Sequence, residues 1–440
     1  MTKYTHTLIV AVLLVVAVVA FTHTQSPALA AKPNTAESPP QHELIVQELI
    51  DILNAHESDG WKRMLESSIK DAYDKAKAKL SPAQWDRYVT MPDGKKPVDI
   101  NTLENYYLFL DSYVRWIPTE RGHDEHVDEV LFQFARFYWI LDQGSGLELQ
   151  QKVGSREAKG NDFTRWMSKF ANNWGEFLNT PASLTRESLL SYYDDPTFNI
   201  HEYIGSTYSA DAKDRWNAAQ PVWKSFNQFF ARQTKPGLRP VAGAHNDHII
   251  NAPADFTLRM QARISDDSKI TVKRTHEYNV VDLLDGSPYQ DRFRNGLFVH
   301  GFLSTFDYHR FRAPVRGKVL ESRTIEAEVY LGVDITNEKK FFVTDKTGYQ
   351  FSQTRGLIIF ESPVGLVAAL PMGMSQVSSV HMTAEPGATL TKGEEFGYFM
   401  FGGSDIIILF EAGSNVNINA APGIHTNAGM AIGEVIQSTD

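Results

Sequence analysis

The sequence of 440 residues contains no cysteine. Disulfide bonds, thiolate nucleophiles and cysteine-ligated zinc or iron–sulfur sites are therefore excluded, and any nucleophile must be oxygen or nitrogen. Positive charge is also scarce: 43 Lys and Arg stand against 53 Asp and Glu, which gives a formal net charge of −10. No run rich in Lys or Arg occurs that could neutralise a phosphate backbone, so nucleic acid is not expected as a partner.

Long hydrophobic runs are scarce too. The apolar stretch from Leu8 to Phe21 has 14 residues, whereas a membrane-spanning helix needs about 20. It follows Lys3 and precedes Ala28-Leu29-Ala30, a small-x-small pattern typical of signal peptidase sites. We predict a cleaved signal peptide over 1–30, with a retained anchor as the alternative, and a flexible leader over 31–41. The protein is then expected to be exported, periplasmic or secreted, with membrane association left open.

What the sequence does contain is a globular composition, with 42% hydrophobic and 22% charged residues. Helical periodicity dominates from 42 to 195. Two sets of apolar residues show the spacing of one helix face: Ile45, Leu49, Ile52 and Leu53, and then Leu131, Phe134, Tyr138 and Leu141. Asp195-Pro196 breaks the pattern. We predict a helical domain over 42–195, followed by a linking segment over 196–240.

Beyond this segment the periodicity changes to short apolar or alternating runs separated by Gly, Pro, Asn and Asp. The runs are 269–273, 296–304, 326–331, 356–360, 365–370 and 406–410. Since no helices alternate regularly with them, they favour an antiparallel barrel or sandwich over 241–440. The predicted fold class is α+β, a helical domain followed by a β-rich domain.

One segment suggests chemistry. Phe401-Gly-Gly-Ser-Asp405 directly precedes an apolar strand, and its glycines allow backbone conformations closed to other residues. The Ser404 hydroxyl could attack the Gly403 carbonyl in an N-to-O acyl shift. Elimination from the ester and hydrolysis of the resulting dehydroalanine would leave a pyruvoyl group. Alone, however, Gly-Gly-Ser before a strand is a common turn.

Four further segments favour the chemical interpretation of Ser404 over the turn, because they occur in the order known from one family. They are Phe226-Asn-Gln-Phe-Phe-Ala-Arg232 with Lys235-Pro-Gly-Leu-Arg-Pro240, then Ala252-Pro-Ala-Asp255, then Gly301-Phe-Leu-Ser-Thr-Phe-Asp-Tyr-His-Arg310 with Ala313-Pro-Val-Arg-Gly317, and finally Lys392-Gly-Glu-Glu-Phe-Gly-Tyr-Phe-Met-Phe-Gly-Gly-Ser404. Together they resemble the motifs of the phosphatidylserine decarboxylase family. The helical region resembles an accessory domain in the branch that includes fungal aromatic amino acid decarboxylases.

The resemblance implies a role for particular residues. Ser404 matches the precursor of the pyruvoyl cofactor, with the cut between Gly403 and Ser404. Asp255 matches the acid of the processing triad, which would orient an imidazole. His309 matches the histidine associated with decarboxylation, where an imidazole could supply or steer a proton. A turn-capping aspartate and a histidine held by backbone hydrogen bonds are the structural alternatives.

Three positions depart from the family. The expected triad histidine is Arg312, whose guanidinium stays protonated and cannot accept the serine proton. Asp405 stands where Thr or Ser is usual, and Phe256 replaces a glycine. Three outcomes stay open: His309 acts as the base, Asp255 acts directly, or the chain never matures.

The resemblance predicts a carboxy-lyase that acts on phosphatidylserine or on a free amino acid, with aromatic amino acids among the candidates; oligomeric state is not indicated. The alternative is a maturation-deficient, noncatalytic protein that binds an amine or a lipid headgroup. The 372–377 segment could line the pocket or form an ordinary strand and turn. No metal is expected, because His123-Asp-Glu-His126 and His245-Asn-Asp-His248 each lack a third ligand nearby.

Overall fold

The structure of the protein is a computed structural model. It describes residues 42–94, 97–120, 129–150, 160–195, 198–205, 223–272, 276–327, 329–343, 351, 353–373, 379–401 and 405–436. The predicted signal peptide and leader (1–30 and 31–41), Gly403, Ser404 and the 123–126 segment lie outside these residues. The domain boundaries at 195 and 240 stay predictions.

The N-terminal part of the described chain is helical. Its helices are α1 (Leu44–Ala55), α2 (Trp61–Lys79), α3 (Pro82–Val89), α4 (Leu103–Tyr113), α5 (Glu129–Leu141), α6 (Gly146–Leu149), α7 (Asp162–Leu178) and α8 (Arg186–Asp194). Capping side chains begin several of them; the Asn161 side chain, for example, accepts from the Thr164 amide at α7. The two helices expected from periodicity are confirmed as α1 and α5.

The short helix α9 (Phe226–Phe230) precedes the β-rich part, in which α10 (Val280–Leu284) is inserted. The strands are β1 (Ile249–Asn251), β2 (Phe256–Arg263), β3 (Lys269–Val272), β4 (His276–Asn279), β5 (Leu297–Phe302), β6 (Arg310–Arg312), β7 (Gly317–Ile325), β8 (Val333–Ile335), β9 (Phe341–Val343), β10 (Arg355–Ser362), β11 (Gly365–Met372), β12 (Val380–Met382), β13 (Thr389–Leu390), β14 (Glu395–Phe399), β15 (Asp405–Phe410), β16 (Val416–Ile418), β17 (His425–Thr426) and β18 (Ala431–Val435).

The largest sheet has eight strands in the order β13-β7-β10-β11-β15-β5-β2-β17, and its neighbouring strands are antiparallel. Side chains alternate across it, as strand geometry requires. Ile406 and Ile408 of β15 join the core shared with the helical part, whereas Ile407 and Leu409 join a second core. The α+β fold class, helices followed by antiparallel β structure, is confirmed.

The register of this sheet brings several strand ends to one edge. Asp405, the first residue of β15, lies opposite Phe302, the last of β5, and opposite Met372, the last of β11. Phe302 in turn lies opposite Thr257 near the start of β2. The start of β15 and the start of β2 therefore lie at the same edge.

The expected strand at 326–331 is wrong. β7 ends at Ile325, and the next strand begins at Val333. Val329 and Leu331 are buried because this segment packs on the helical part, where the Tyr138 hydroxyl donates to the Val329 carbonyl over 3.0 Å. An apolar run predicts burial but does not specify the partner. Among the described residues, no helix is both long and apolar enough to cross a bilayer.

The structure explains how Phe256 is accommodated where the family usually has glycine. Its ring lies against Gly301 of the neighbouring strand, so that a Cβ atom added to Gly301 would lie 2.2 Å from Phe256 Cδ2. The large side chain on β2 thus requires a residue without a side chain on β5.

We expect Gly301→Ala to lower the melting temperature, because overpacking of a core costs about 1–3 kcal/mol. Gly175→Ala is the matched control: this helical glycine has open space around it, and alanine favours helix formation by roughly 1 kcal/mol. Thermal unfolding should also show that Gly301→Ala with Phe256→Ala costs less than the sum of the two single changes. A Gly301→Ala protein as stable as the wild type would contradict the close contact.

Candidate active site

The Asp255 carboxylate is buried, with 2% of the residue exposed. Arg239 donates to it from Nε and Nη2, at 2.9 and 2.6 Å, and the Ala428 amide donates to Oδ1 over 2.7 Å. Arg239 also pairs with Glu202 over 3.0 Å. Burial lowers the pKa of Arg239, but the hydrogen bonds and charges of Asp255 and Glu202 raise it overall. Asp255 is therefore held by a permanent cation.

His309 is fully buried just before β6. Its Nδ1 lies 2.8 Å from the Asp307 carbonyl, which can only accept, so Nδ1 carries the proton of the neutral ring and Nε2 is the basic nitrogen. The Phe230 ring lies over the imidazole at 4.1 Å between centroids. This is the arrangement required of a group that accepts or returns one proton at Nε2.

A triad base would be expected to pair with the Asp255 carboxylate, but Arg312 binds a backbone carbonyl instead. Its Nη1 donates to the Arg239 carbonyl over 3.1 Å, and its guanidinium lies 5.5 Å from the Tyr308 ring centroid. At the position where the resemblance predicts an imidazole, the chain therefore has a guanidinium that donates to the backbone of Arg239, and Arg239 itself binds Asp255.

A second buried imidazole, His300, was missed from the sequence. Its Nε2 lies 3.0 Å from Oδ1 of Asp405, which is fully buried and directly follows Ser404. The two residues are 105 positions apart and meet only because β5 pairs with β15. A histidine within an apolar strand sequence was the available signal, but pairing partners cannot be assigned from one strand alone.

The Phe401 side chain is enclosed by aromatic rings on the other side of the predicted cut. Phe226, Phe230, Trp174 and Phe134 lie around it at centroid distances of 4.9, 5.0, 5.6 and 5.9 Å. Trp174 and Phe134 belong to the helical part. Phe230 contacts both Phe401 and His309, so the predicted decarboxylation residue lies one aromatic ring away from the chain that enters the predicted cleavage site.

A cleft of about 560 Å³ opens beside Phe401, between α7 and the strand edge described above. Its lining includes Trp174, Glu176, Thr324, His381 and Phe401. His381 is half-buried, which lowers the pKa of its imidazole, and it stacks on Tyr398 at 5.1 Å. Of the predicted 372–377 segment, Met372 ends β11 and is buried, whereas 374–377 lie outside the described residues.

A smaller polar pocket of about 360 Å³ lies at the same edge, around Asp255 and Arg239. His425 faces it and lies 2.8 Å from Asp307 Oδ1. Asp307 therefore connects two histidines: its carboxylate binds His425 and its carbonyl binds His309. Within the described ranges, no group of three or more potential metal-ligating side chains occurs, and Asp247 beside His248 is paired with Arg316.

The family model described as phosphatidylserine decarboxylase matches residues 226–434. Over this region, the chain is similar to the phosphatidylserine decarboxylase family. The resemblance seen in the motifs is thereby confirmed. Members of the phosphatidylserine decarboxylase family are carboxy-lyases and are in general pyruvoyl-dependent.

Three relatives show how far the similarity extends. "Phosphatidylserine decarboxylase proenzyme 2" of Oryza sativa subsp. japonica is 32% identical over 227 residues, 50% of this chain and 35% of the rice protein. The proenzyme of Fusobacterium nucleatum is 27% identical over 248 residues, 55% of this chain and 74% of its own. "Decarboxylase iboD" of Amanita muscaria is 25% identical over 301 residues, 62% of this chain and 82% of its own. The fungal alignment therefore extends upstream of residue 226, into the helical part.

The His425–Asp307 pair predicts a pH-dependent contribution to stability. The hydrogen bond that Asp307 accepts raises the pKa of His425 above its ordinary 6.5, and the negative charges of Asp307 and Asp255 raise it further. Burial and the positive charge of Arg239 lower this pKa, but by less. A raised folded-state pKa stabilises the protein below the unfolded-state pKa, and this contribution is lost as pH rises through the folded-state pKa.

We therefore expect the melting temperature of the wild type to exceed that of His425→Asn by the largest margin at about pH 5. This difference in melting temperature should shrink as the pH rises past the ordinary histidine pKa. Melting curves from about pH 5 to pH 9 measure it. In an Asp307→Asn background the same change should have a much smaller pH-dependent effect, because the largest cause of the raised pKa of His425 is gone. A margin that is constant with pH in the wild-type background would show that the pair does not titrate.

Proposed function

We propose that this protein is a self-processing, pyruvoyl-dependent decarboxylase that converts an amino acid, or the serine headgroup of phosphatidylserine, into an amine and CO2. One observation supports the proposal: Phe401, in its aromatic enclosure, and Asp405, at the start of β15, are held on either side of the Gly403–Ser404 bond that the motifs predict to be cut, and Phe230 of that enclosure also contacts the buried His309. Neither residue of that bond is among the described ones, but the chain is anchored on both sides of it.

Self-cleavage requires a nucleophile and a base. Ser404 Oγ adds to the Gly403 carbonyl, and the peptide C–N bond breaks to give an ester and a free amine. Elimination then releases the upstream chain as a carboxylate, and water converts the dehydroalanine to the pyruvoyl group with loss of ammonia. The base is an imidazole in this proposal, since both Asp255 oxygens accept hydrogen bonds from Arg239 or Ala428.

The described residues fit a pyruvoyl group at position 404. His309 is buried in an apolar, aromatic environment with its basic Nε2 able to hold and return a proton. The ketone of the group supplies an electron sink for the bond to the departing carboxylate. The role of the chain is to bind the substrate, exclude water and deliver the proton that replaces CO2.

The cleft beside Phe401 supports a free amino acid as the substrate. Helix α7 lines one side of this cleft, so the helical part covers one side of the sheet edge at which the cut is predicted. Trp174 and Phe401 offer apolar surface for a side chain, and Glu176 lies within reach of an amine. Phosphatidylserine would have to place its two acyl chains outside the cleft, beyond α7. It is the alternative substrate.

Purified protein should contain two polypeptides, of which the smaller extends from the Ser404-derived pyruvoyl group to Asp440 and has 37 residues. Intact mass under denaturing conditions measures both pieces. Under native conditions they should elute together, because β15 lies between β11 and β5 and all six of its residues are buried.

Ser404→Ala should give a single chain, whereas Ser414→Ala, a serine further along the same segment, should be cut like the wild type. The cut protein is then given free aromatic amino acids or phosphatidylserine vesicles, and released CO2 is measured. An uncut wild-type chain, or a cut chain without turnover on any amine-bearing acid, would refute the proposal.

A second function has specific support from Arg312. Its guanidinium stands where the resemblance predicts the triad imidazole, and it donates to the Arg239 carbonyl. The guanidinium of Arg239 in turn donates to the Asp255 carboxylate. A chain with this arrangement that never matures would keep the cleft and bind an amine or a lipid headgroup without chemistry.

We expect Arg312→His to accelerate the cut by a factor on the order of 10², the typical contribution of a positioned general base. Arg312→Gln is the control, because it removes the cation without adding a base. The rate at which the 37-residue piece appears measures the effect. A wild type that stays uncut while Arg312→His is cut would show that Arg312 prevents maturation, as the second function requires, and equal rates in all three proteins would exclude position 312 from the reaction.

A further inference from the structure

The Asn227 side chain joins the helical part to the chain that enters the predicted cleavage site. It is buried, with 4% of the residue exposed. Its Nδ2 donates to the Gly175 carbonyl over 3.2 Å and to Asn179 Oδ1 over 3.0 Å, both at the end of α7. Its Oδ1 accepts from the Phe401 amide over 2.9 Å.

The orientation of this amide is determined by its partners. The Gly175 carbonyl can only accept and the Phe401 N–H can only donate, so the two ends of the Asn227 amide cannot be exchanged. A buried amide with both N–H groups and its oxygen bound has one low-energy position. Asn227 is therefore a fixed link between α7 and the Phe401 backbone.

Phe401 lies two residues before the predicted scissile bond, so this link acts on the reacting segment. The aromatic rings around Phe401 hold its side chain, and Asn227 holds its backbone. On the other side, Asp405 is held by β15 and by His300. Only three residues separate these two anchors, so a shift of Phe401 must be taken up within the reacting segment itself.

We propose that Asn227 is a positioning residue for self-cleavage: by tying the Phe401 amide to α7, it sets the approach of the Ser404 hydroxyl to the carbonyl before it. The inference rests on the proposed function and assigns the helical part a role in maturation. Misplacement of reacting atoms by about 1 Å costs roughly 100-fold in rate, and loss of the Asn227 link should slow the cut to that degree.

The test follows the first-order appearance of the 37-residue piece in folded precursor, at a temperature well below unfolding. Asn227→Leu keeps the number and branching of the side-chain heavy atoms and removes all three hydrogen bonds, and we expect a cut about 100-fold slower than in the wild type. Gln228→Leu is the matched control, since the side chain of Gln228 is exposed and, among the described residues, accepts one hydrogen bond, from the Lys224 amide; the rate of this variant should equal that of the wild type.

Asn227→Asp separates positioning from simple stability and keeps the test valid if the leucine variant does not fold. When the carboxyl group introduced by this substitution is protonated, it can donate to Gly175 and accept from Phe401. When it is ionised, it faces the Gly175 carbonyl and Asn179 Oδ1 without a donor. The ratio of the variant's cleavage rate to that of the wild type should therefore rise as pH falls.

The outcomes distinguish this inference from the proposed function. A wild-type chain that is never cut would overturn both. A wild type that is cut, with Asn227→Leu and Asn227→Asp cut at the same rate and the same pH dependence, would overturn the role of Asn227 alone. A slower cut in both variants, with the pH-dependent recovery in Asn227→Asp, is the result expected.

Discussion

The structure depends on one constraint: the chain directly after the predicted cut is an interior strand of the main sheet. β15 pairs with β11 on one side and β5 on the other, and its residues are buried in two cores. The same C-terminal segment donates the Ala428 amide to Asp255 and brings His425 to Asp307. A break before β15 would therefore leave the fold and both polar contacts in place, since noncovalent pairing already holds the segment.

The helix α9 organises the other side of the cut. Within one turn and a half it supplies Phe226 and Phe230 to the enclosure of Phe401, Asn227 to the Phe401 amide, and Phe230 to the face of His309. Arg232 then donates to the carbonyls of 306 and 307, which precede His309. The segment combines polar and apolar side chains because it contacts the helical part, the strand edge and the histidine at once.

Much of the fold could be predicted from the sequence pattern, because α1 buries one helix face, whereas α5 and the strands at 297–302 and 405–410 are apolar runs buried almost throughout. The motifs predicted Asp255 and His309 as site residues, and the structure places Asp255 directly before β2 and His309 directly before β6. The partners of these residues could not be predicted: His300 meets Asp405, and Arg239 meets Asp255, through strand register and loop packing that no local spacing encodes. The 326–331 segment failed for the same reason, since its partner is a helix that precedes it by almost 200 residues.

The ion pair of Asp255 bears on which group can act as the base. Breaking a buried pair by removing one partner typically costs about 3–5 kcal/mol, so a mechanism in which Asp255 leaves Arg239 to take the serine proton must add that cost to its barrier. An imidazole has no such cost: His309 keeps its Nδ1 hydrogen bond to the Asp307 carbonyl while Nε2 exchanges a proton. Arg239 thus holds Asp255 as a structural anion, and under the proposed function an imidazole, rather than this carboxylate, accepts the serine proton.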